Sequence, residues 1–119
     1  MGTFAVTATI ANRLRPELTA RVGLIVDTGA TWTLLPAELV SELELETPRE
    51  RTVMMANGDR VTFPMGEALM TLNGEELTTI FLAGPPGTRA LLGTFTLEAF
   101  GLAPDPVRQI LVPVVGLLT

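Results

Sequence analysis

The sequence predicts a mainly β domain with two short helices. Three observations support that class. Most segments alternate apolar with polar side chains, or are rich in β-branched residues, rather than repeating every three or four positions. Two Asn-Gly pairs, at 57–58 and 73–74, each sit between β-prone runs, a strong short-range hairpin signal. Proline and glycine, as in Gly84-Pro85-Pro86-Gly87, break the chain into short elements. At 119 residues the chain forms one domain, 1–119, long enough for a core but too short for two substantial lobes.

Phe4 to Ile10 (F-A-V-T-A-T-I) reads as the first strand, and Asn12 to Leu18, with Arg13, Arg15 and Pro16, as a polar turn. Thr19 to Val26 returns antiparallel to it and leads directly into Asp27. Thr31 to Leu35 is β-rich again. Pro36 fits the first turn of a short helix, A-E-L-V-S-E-L, with Leu39, Val40 and Leu43 on one face and Pro48 as its stop. Glu38, Glu42, Glu44 and Glu46 read as its solvated side.

Arg51 to Ala56 and Val61 to Met65 flank Asn57-Gly58-Asp59, a turn in which both Asn57 and Gly58 favour positive φ. Ala68 to Leu72, Asn73-Gly74 and Leu77 to Ala83 form a second hairpin on the same logic. Ala90-Leu91-Leu92-Gly93 follows the Gly-Pro-Pro-Gly loop. Thr94 can cap a short helix running to Phe100, with Gly101 ending it. Gln109 to Val115 reads as a final strand, confined by Pro113 to an edge.

Composition removes most chemistries. The chain has no His, Cys or Tyr, and all eight basic residues are Arg. That excludes imidazole-assisted nucleophiles, thiol catalysis, thiolate zinc sites, disulfides, a phosphate-loop lysine and a Schiff base. Acid–base work falls to Asp and Glu, with no cofactor implied. A net charge of −5 and a pI near 4.6, with no basic stripe, argue against nucleic acid as a partner.

The 47% hydrophobic content and mean hydropathy of +0.42 are high for a small monomer, and such excess often goes into a subunit interface. A membrane span is not expected. The longest apolar run, Ile110 to Leu118, is about half the roughly 20 residues a spanning helix needs, and Pro113 and Gly116 interrupt it. The start shows no signal-peptide pattern, and Met1-Gly2 fails the myristoylation pattern because position 6 is Val. A cytoplasmic domain is the expectation.

Against that background Asp27 stands out. It ends the aliphatic run Leu24-Ile25-Val26 and opens the turn Asp-Thr-Gly. A carboxylate at the end of a core strand is rare unless something pairs with it or uses it. Metal-free peptide hydrolysis needs a water held between two carboxylates that share one proton, one acting as base while the other polarises the scissile carbonyl. The chain has two further Asp residues, at 59 and 105. Asp59 falls in a hairpin tip and Asp105 between two prolines, and neither is followed by Thr-Gly. The second carboxylate is then Asp27 of another copy, as a two-fold dimer would supply.

The pattern resembles the retropepsin-like aspartic proteases, the single-lobed dimeric relatives of pepsin, and its microbial branch in particular. The shared residues are Asp27-Thr28-Gly29-Ala30 with Thr33 and Leu34-Leu35, then Asn57-Gly58, then Leu91-Leu92-Gly93 with its short helix, over roughly positions 4 to 102. The resemblance implies a closed-barrel-like homodimer with a flap hairpin. It implies one catalytic Asp27 per subunit, Thr28 locking the two active-site loops across the dimer, and Gly29 offering backbone groups to an extended peptide. Ala30 would complete that loop. Ala56, Asn57, Gly58 and Asp59 would be the flap tip, and Arg89 to Gly93, with Leu91, Leu92 and Gly93 at its centre, would support the loop from below. Position 31 is Thr where many viral members carry an acid, and Trp32 follows as a candidate substrate or interface contact, with packing the commoner role for such a residue. The chain also runs further past Gly101 than the compact viral enzymes.

Two functions follow from these residues. One is a homodimeric aspartic endopeptidase acting on extended, largely apolar peptides. The other is a catalytically weak or idle dimer of the same fold that binds peptides or serves assembly. The intact Asp-Thr-Gly-Ala favours the first.

Overall fold

The computed structural model describes residues 3–119; Met1-Gly2, read above against the myristoylation pattern, lies outside them. The strands β1 (Ala5–Ala11) and β2 (Thr19–Val26) form the expected hairpin, in register from Ala5↔Ile25 to Ala11↔Thr19. β3 (Thr33–Pro36) leads into α1 (Ala37–Glu42). Two hairpins follow: β4 (Arg49–Met54) with β5 (Arg60–Leu72), and β5 with β6 (Glu75–Gly84). β7 (Leu91–Leu92), α2 (Thr94–Ala99) and a terminal hairpin of β8 (Leu102–Asp105) and β9 (Ile110–Pro113) complete the chain.

The main sheet runs β1-β2-β7-β3-β6-β5-β4, and β1 also pairs with β5 at Ile10↔Met70. The sheet therefore closes on itself, which removes most of the free strand edges that invite aggregation. β4 remains outside the closure, hydrogen-bonded to β5 alone. Alternate residues point inward. Ile10, Leu24, Leu35, Met70, Phe81 and Leu92 are fully buried, one from each strand of the closed sheet. Each such side chain contributes about 1.5–3 kcal/mol through removal of its surface from water. Leu39 and Leu43 of the α1 segment pack on this core from outside. No helix among the described residues is long and apolar enough to cross a membrane.

Several local expectations need correction. The β4–β5 turn is not a two-residue turn with two positive φ angles. Only Gly58 is left-handed (φ 91°), and Gly58 N–H donates to the Met55 carbonyl at 2.9 Å. Ala56-Asn57-Gly58 is thus a three-residue loop, a type I turn closed by a left-handed glycine. By contrast Asn73 and Gly74 are both left-handed, as a two-residue turn requires.

The runs 61–65 and 68–72 are one strand rather than two. Pro64 is tolerated because that part of β5 pairs only with β4, so its missing N–H faces no neighbour. Gly66 is fixed by a close approach, since a Cβ there would lie 2.1 Å from the Glu46 carbonyl oxygen. α1 ends well before Pro48. Glu44 turns left-handed (φ 52°), Glu44 N–H bonds the Ser41 carbonyl and Leu45 N–H bonds the Val40 carbonyl. This is a Schellman cap with Glu in the usual glycine place. The buried Asn12 amide then donates to the Leu43 and Glu44 carbonyls at 3.0 and 2.9 Å, tying the helix end to the β1–β2 turn. Of the acidic stretch, Glu38 and Glu42 lie on the helix, and all four side chains are exposed. β8 is not evident from the sequence because Pro104 and Asp105 look like loop residues; β9 pairs with it directly, Leu102↔Pro113 through Asp105↔Ile110.

Candidate active site

Asp27 emerges half-buried from the core end of β2, just after the buried Leu24 and Val26. Its N–H donates to the Leu92 carbonyl at 3.1 Å, so β7 supports it from below. β7 is wedged between β2 and β3, with Val26↔Leu92 parallel and Leu34↔Leu91 antiparallel. The loop then turns sharply. Ala30 N–H donates to the Asp27 carbonyl at 3.1 Å, and Gly29 N–H to Asp27 Oδ1 at 2.9 Å. That second bond orients the carboxylate by holding one of its two oxygens. A Cβ on Gly29 would lie 3.2 Å from the same oxygen, so a larger residue there would push the carboxylate by a few tenths of an ångström.

The far side of the loop rests on α2. Thr94 N–H donates to the Ala30 carbonyl and Phe95 N–H to the Thr31 carbonyl, both at 2.9 Å. These bonds correct the expectation that the Thr94 hydroxyl caps α2. The N-cap is Gly93, no side chain caps the helix, and the loop carbonyls accept the free helix N–H groups instead. Gly93 is where the two segments touch. A Cβ on it would lie 2.5 Å from the carbonyl carbon of Trp32 and 2.6 Å from its oxygen.

Beneath this contact lies a buried hydroxyl chain that sequence reasoning missed. Thr33 Oγ1 meets Thr96 Oγ1 at 2.7 Å, Thr96 meets Thr79 at 3.0 Å, and Gly93 N–H donates to Thr33 Oγ1 at 3.2 Å. It joins β3, β6 and α2 under the Asp27 loop, and no buried side-chain polar atom among the described residues is left unpaired. Thr33 belongs to the Asp-Thr-Gly motif pattern. Nothing local in the sequence marks Thr79 or Thr96 as its partners.

The structure brings Asp27, Thr28, Gly29 and Ala30 together with Leu91, Leu92 and Gly93. Thr28 and Gly29 are exposed on the lip. Ala56, Asn57, Gly58 and Asp59 are exposed at the β4–β5 turn. Trp32 is half-buried, its ring 5.1 Å from that of Phe95 on α2, with the Arg51 guanidinium 5.1 Å from its centroid. A shallow depression of ≈ 250 Å³ beside Asp27 and Thr28 is walled by Phe4, Pro104 and Pro106, so the β8–β9 hairpin stands next to the active-site loop. A larger cleft of ≈ 410 Å³ opens elsewhere, between Arg13, Arg15, Glu46 and Arg49, and does not reach Asp27.

The other aspartates are committed to turns. Asp59 accepts from the Asn57 amide at 3.1 Å and closes an Asx turn through its N–H. Asp105 accepts from the Arg108 side chain at 2.7 Å and from the Val107 and Arg108 N–H groups. The Arg108 side-chain bond, aided by those backbone donors, holds the Asp105 carboxyl below its ordinary range. A lowered folded value means that this cap stabilises above the ordinary carboxylate range and is lost as pH falls through the lowered value.

Comparison with known proteins agrees with this geometry. The family described as "gag-polyprotein putative aspartyl protease" matches residues 19–99, more than half of the chain. Among solved structures, the EIAV protease in complex with the inhibitor HBY-793 superposes with a TM-score of 0.64 at 16% identity, over 84% of this chain and 89% of that one. The retroviral protease-like domain of Ddi1 from Leishmania major superposes with a TM-score of 0.64 at 13% identity, over 95% and 89%. At such identities the likeness is one of fold. No curated protein matches the sequence. A closed β sheet with Asp-Thr-Gly on a supported loop and a family match across most of the chain lead to one assignment: the chain belongs to the gag-polyprotein aspartyl protease family and has the retropepsin-like fold.

Proposed function

We propose that the protein is a homodimeric aspartic endopeptidase in which Asp27 of each subunit supplies half of one catalytic dyad. The observation that carries this reading is the state of the three aspartates. Asp27 alone follows a buried core strand, on a loop held by β7 and α2; Asp59 lies at an exposed hairpin turn, and Asp105 gives both carboxylate oxygens to Arg108 and the N–H groups of its own turn. Two Asp27 carboxylates about 3 Å apart would share a proton, because both cannot ionise easily. The ionised one takes a proton from water as it attacks the scissile carbonyl; the protonated one polarises that carbonyl and later returns its proton to the leaving amine. In this reading Thr28, exposed on the lip, meets its counterpart across the two-fold axis. The β4–β5 hairpin acts as a flap over an extended peptide, and its exposed Met54, Met55 and Val61 suit apolar side chains.

The dimer has independent support. Val107, Val115, Leu117 and Leu118 are 90% or more exposed in the single chain, on or following the hairpin that flanks Asp27. So much uncovered apolar surface next to a half-built site fits a subunit interface. Sedimentation is expected to show a dimer, and peptidase activity per subunit is expected to fall as the protein is diluted through the dimer dissociation constant. A strictly monomeric protein with undiminished activity would contradict the shared site. A stable dimer that binds peptides without cutting them would instead favour the assembly or peptide-binding role.

A further inference from the structure

The β4–β5 hairpin is held to the domain in an unusual way. β4 hydrogen-bonds only to β5, so no strand pairing fastens its outer edge to the closed sheet. Arg51, in the middle of β4 opposite Phe63, instead reaches across to Trp32. Its guanidinium lies 5.1 Å from the ring centroid, within the range where a cation is attracted to the indole face. No carboxylate pairs with Arg51 among the described residues, so Trp32 is its partner in the fold. Trp32 cannot easily follow a moving hairpin. Its ring packs on Phe95 of α2, and its backbone carbonyl is pressed against Gly93. One side of the contact is thus anchored to the active-site loop and α2, while the other rides on the hairpin.

We propose that Arg51 and Trp32 form a cation–π latch that sets how often the hairpin lies closed over the Asp27 loop. Both are positioning residues: neither reaches the reacting atoms. The latch itself follows from the placement of these side chains, whereas its effect on catalysis rests on the endopeptidase reading. A contact of this kind at a half-exposed site shifts an equilibrium by about two- to five-fold. Arg is the apt cation here, since its flat guanidinium can stack on the ring and its weak hydration lets it leave water at little cost.

The chain has no native cysteine, so nitroxide labels can be placed cleanly at Ala56→Cys, on the exposed hairpin turn, and at Glu98→Cys, on the exposed face of α2. Diluting labelled with unlabelled protein leaves one labelled subunit per assembly, and pulsed electron spin resonance then reads the hairpin-to-helix distance. Arg51→Ala is expected to raise the ratio of long to short distances about two- to five-fold over the otherwise native protein. Arg51→Lys, which keeps a cation, and Trp32→Phe, which keeps a ring, are expected to retain most of the short population. Arg51 is exposed, so its truncation should not unfold the domain.

In peptide cleavage the same Arg51→Ala change is expected to raise KM by a similar factor with kcat nearly unchanged. Distances identical in Arg51→Ala and the native chain would overturn the latch, whatever the enzyme cleaves. Shifted distances in a protein without peptidase activity would keep the latch and remove the endopeptidase reading.

Discussion

Replacing Asp27 by Asn is expected to lower kcat for peptide cleavage by a factor of about 10⁴ while the domain stays folded. The amide is nearly isosteric, and its oxygen can still accept the Gly29 N–H bond that shapes the loop. Thermal unfolding should therefore shift by less than about 5 °C. What is lost is chemistry. An amide can neither take a proton from water nor share one with the opposite carboxylate. Because the substitution leaves the hairpin and the Asp27 loop intact, extended peptides should still bind, so the loss should fall on kcat rather than KM. Steady-state kinetics on a mixed peptide library, with calorimetric binding of a cleavable peptide, checks both halves. Cleavage surviving in Asp27→Asn would remove Asp27 from the reaction.

Gly93→Ala is expected to cost stability on the order of 3 kcal/mol and to depress activity further than that loss explains. The new methyl would meet the Trp32 carbonyl carbon at 2.5 Å and its oxygen at 2.6 Å. These are backbone atoms with no rotamer to yield, so β7 and the segment entering β3 must separate. Separation strains the bonds from Thr94 and Phe95 to the Ala30 and Thr31 carbonyls, and the bond from Gly93 N–H to Thr33. All of them hold the Asp27 loop. Denaturant unfolding of Gly93→Ala gives the first part, and kcat measured where the variant is fully folded gives the second. A variant with native stability would mean that this crossing is softer than its geometry implies.

Legibility in the sequence followed the range of the interaction. The β1–β2 hairpin was readable almost to the residue, because alternation and a polar turn are local signals. The two-residue turn at Asn73-Gly74 was equally clear. The Asn57-Gly58 turn was legible with the wrong geometry, since the pair fits either of two loops and only the pairing across β4 and β5 decides between them. α1 was evident but its end was misplaced. A Glu in the left-handed cap position carries no sequence signal, whereas a downstream proline does. β8 was hidden by Pro104, and the continuity of β5 by Gly66-Glu67, which interrupt the β-prone run. In the site, the Asp-Thr-Gly-Ala loop and Leu91-Leu92-Gly93 were legible as motifs. Why Gly93 must be glycine was not, because the reason is the backbone of Trp32, distant in sequence. The Thr33–Thr96–Thr79 chain and the Arg51–Trp32 contact were invisible for the same reason.

The absence of a second usable aspartate remains the strongest pointer to a shared site, and subunit mixing tests that most directly. Native protein and Asp27→Asn are combined in equal amounts, allowed to exchange subunits, and assayed at the native total concentration. If each active site needs two Asp27 carboxylates, mixed dimers are dead and only about one quarter of the dimers carry both, so activity falls to about one quarter. Activity near one half would show that each native subunit works alone, and the shared dyad would be wrong.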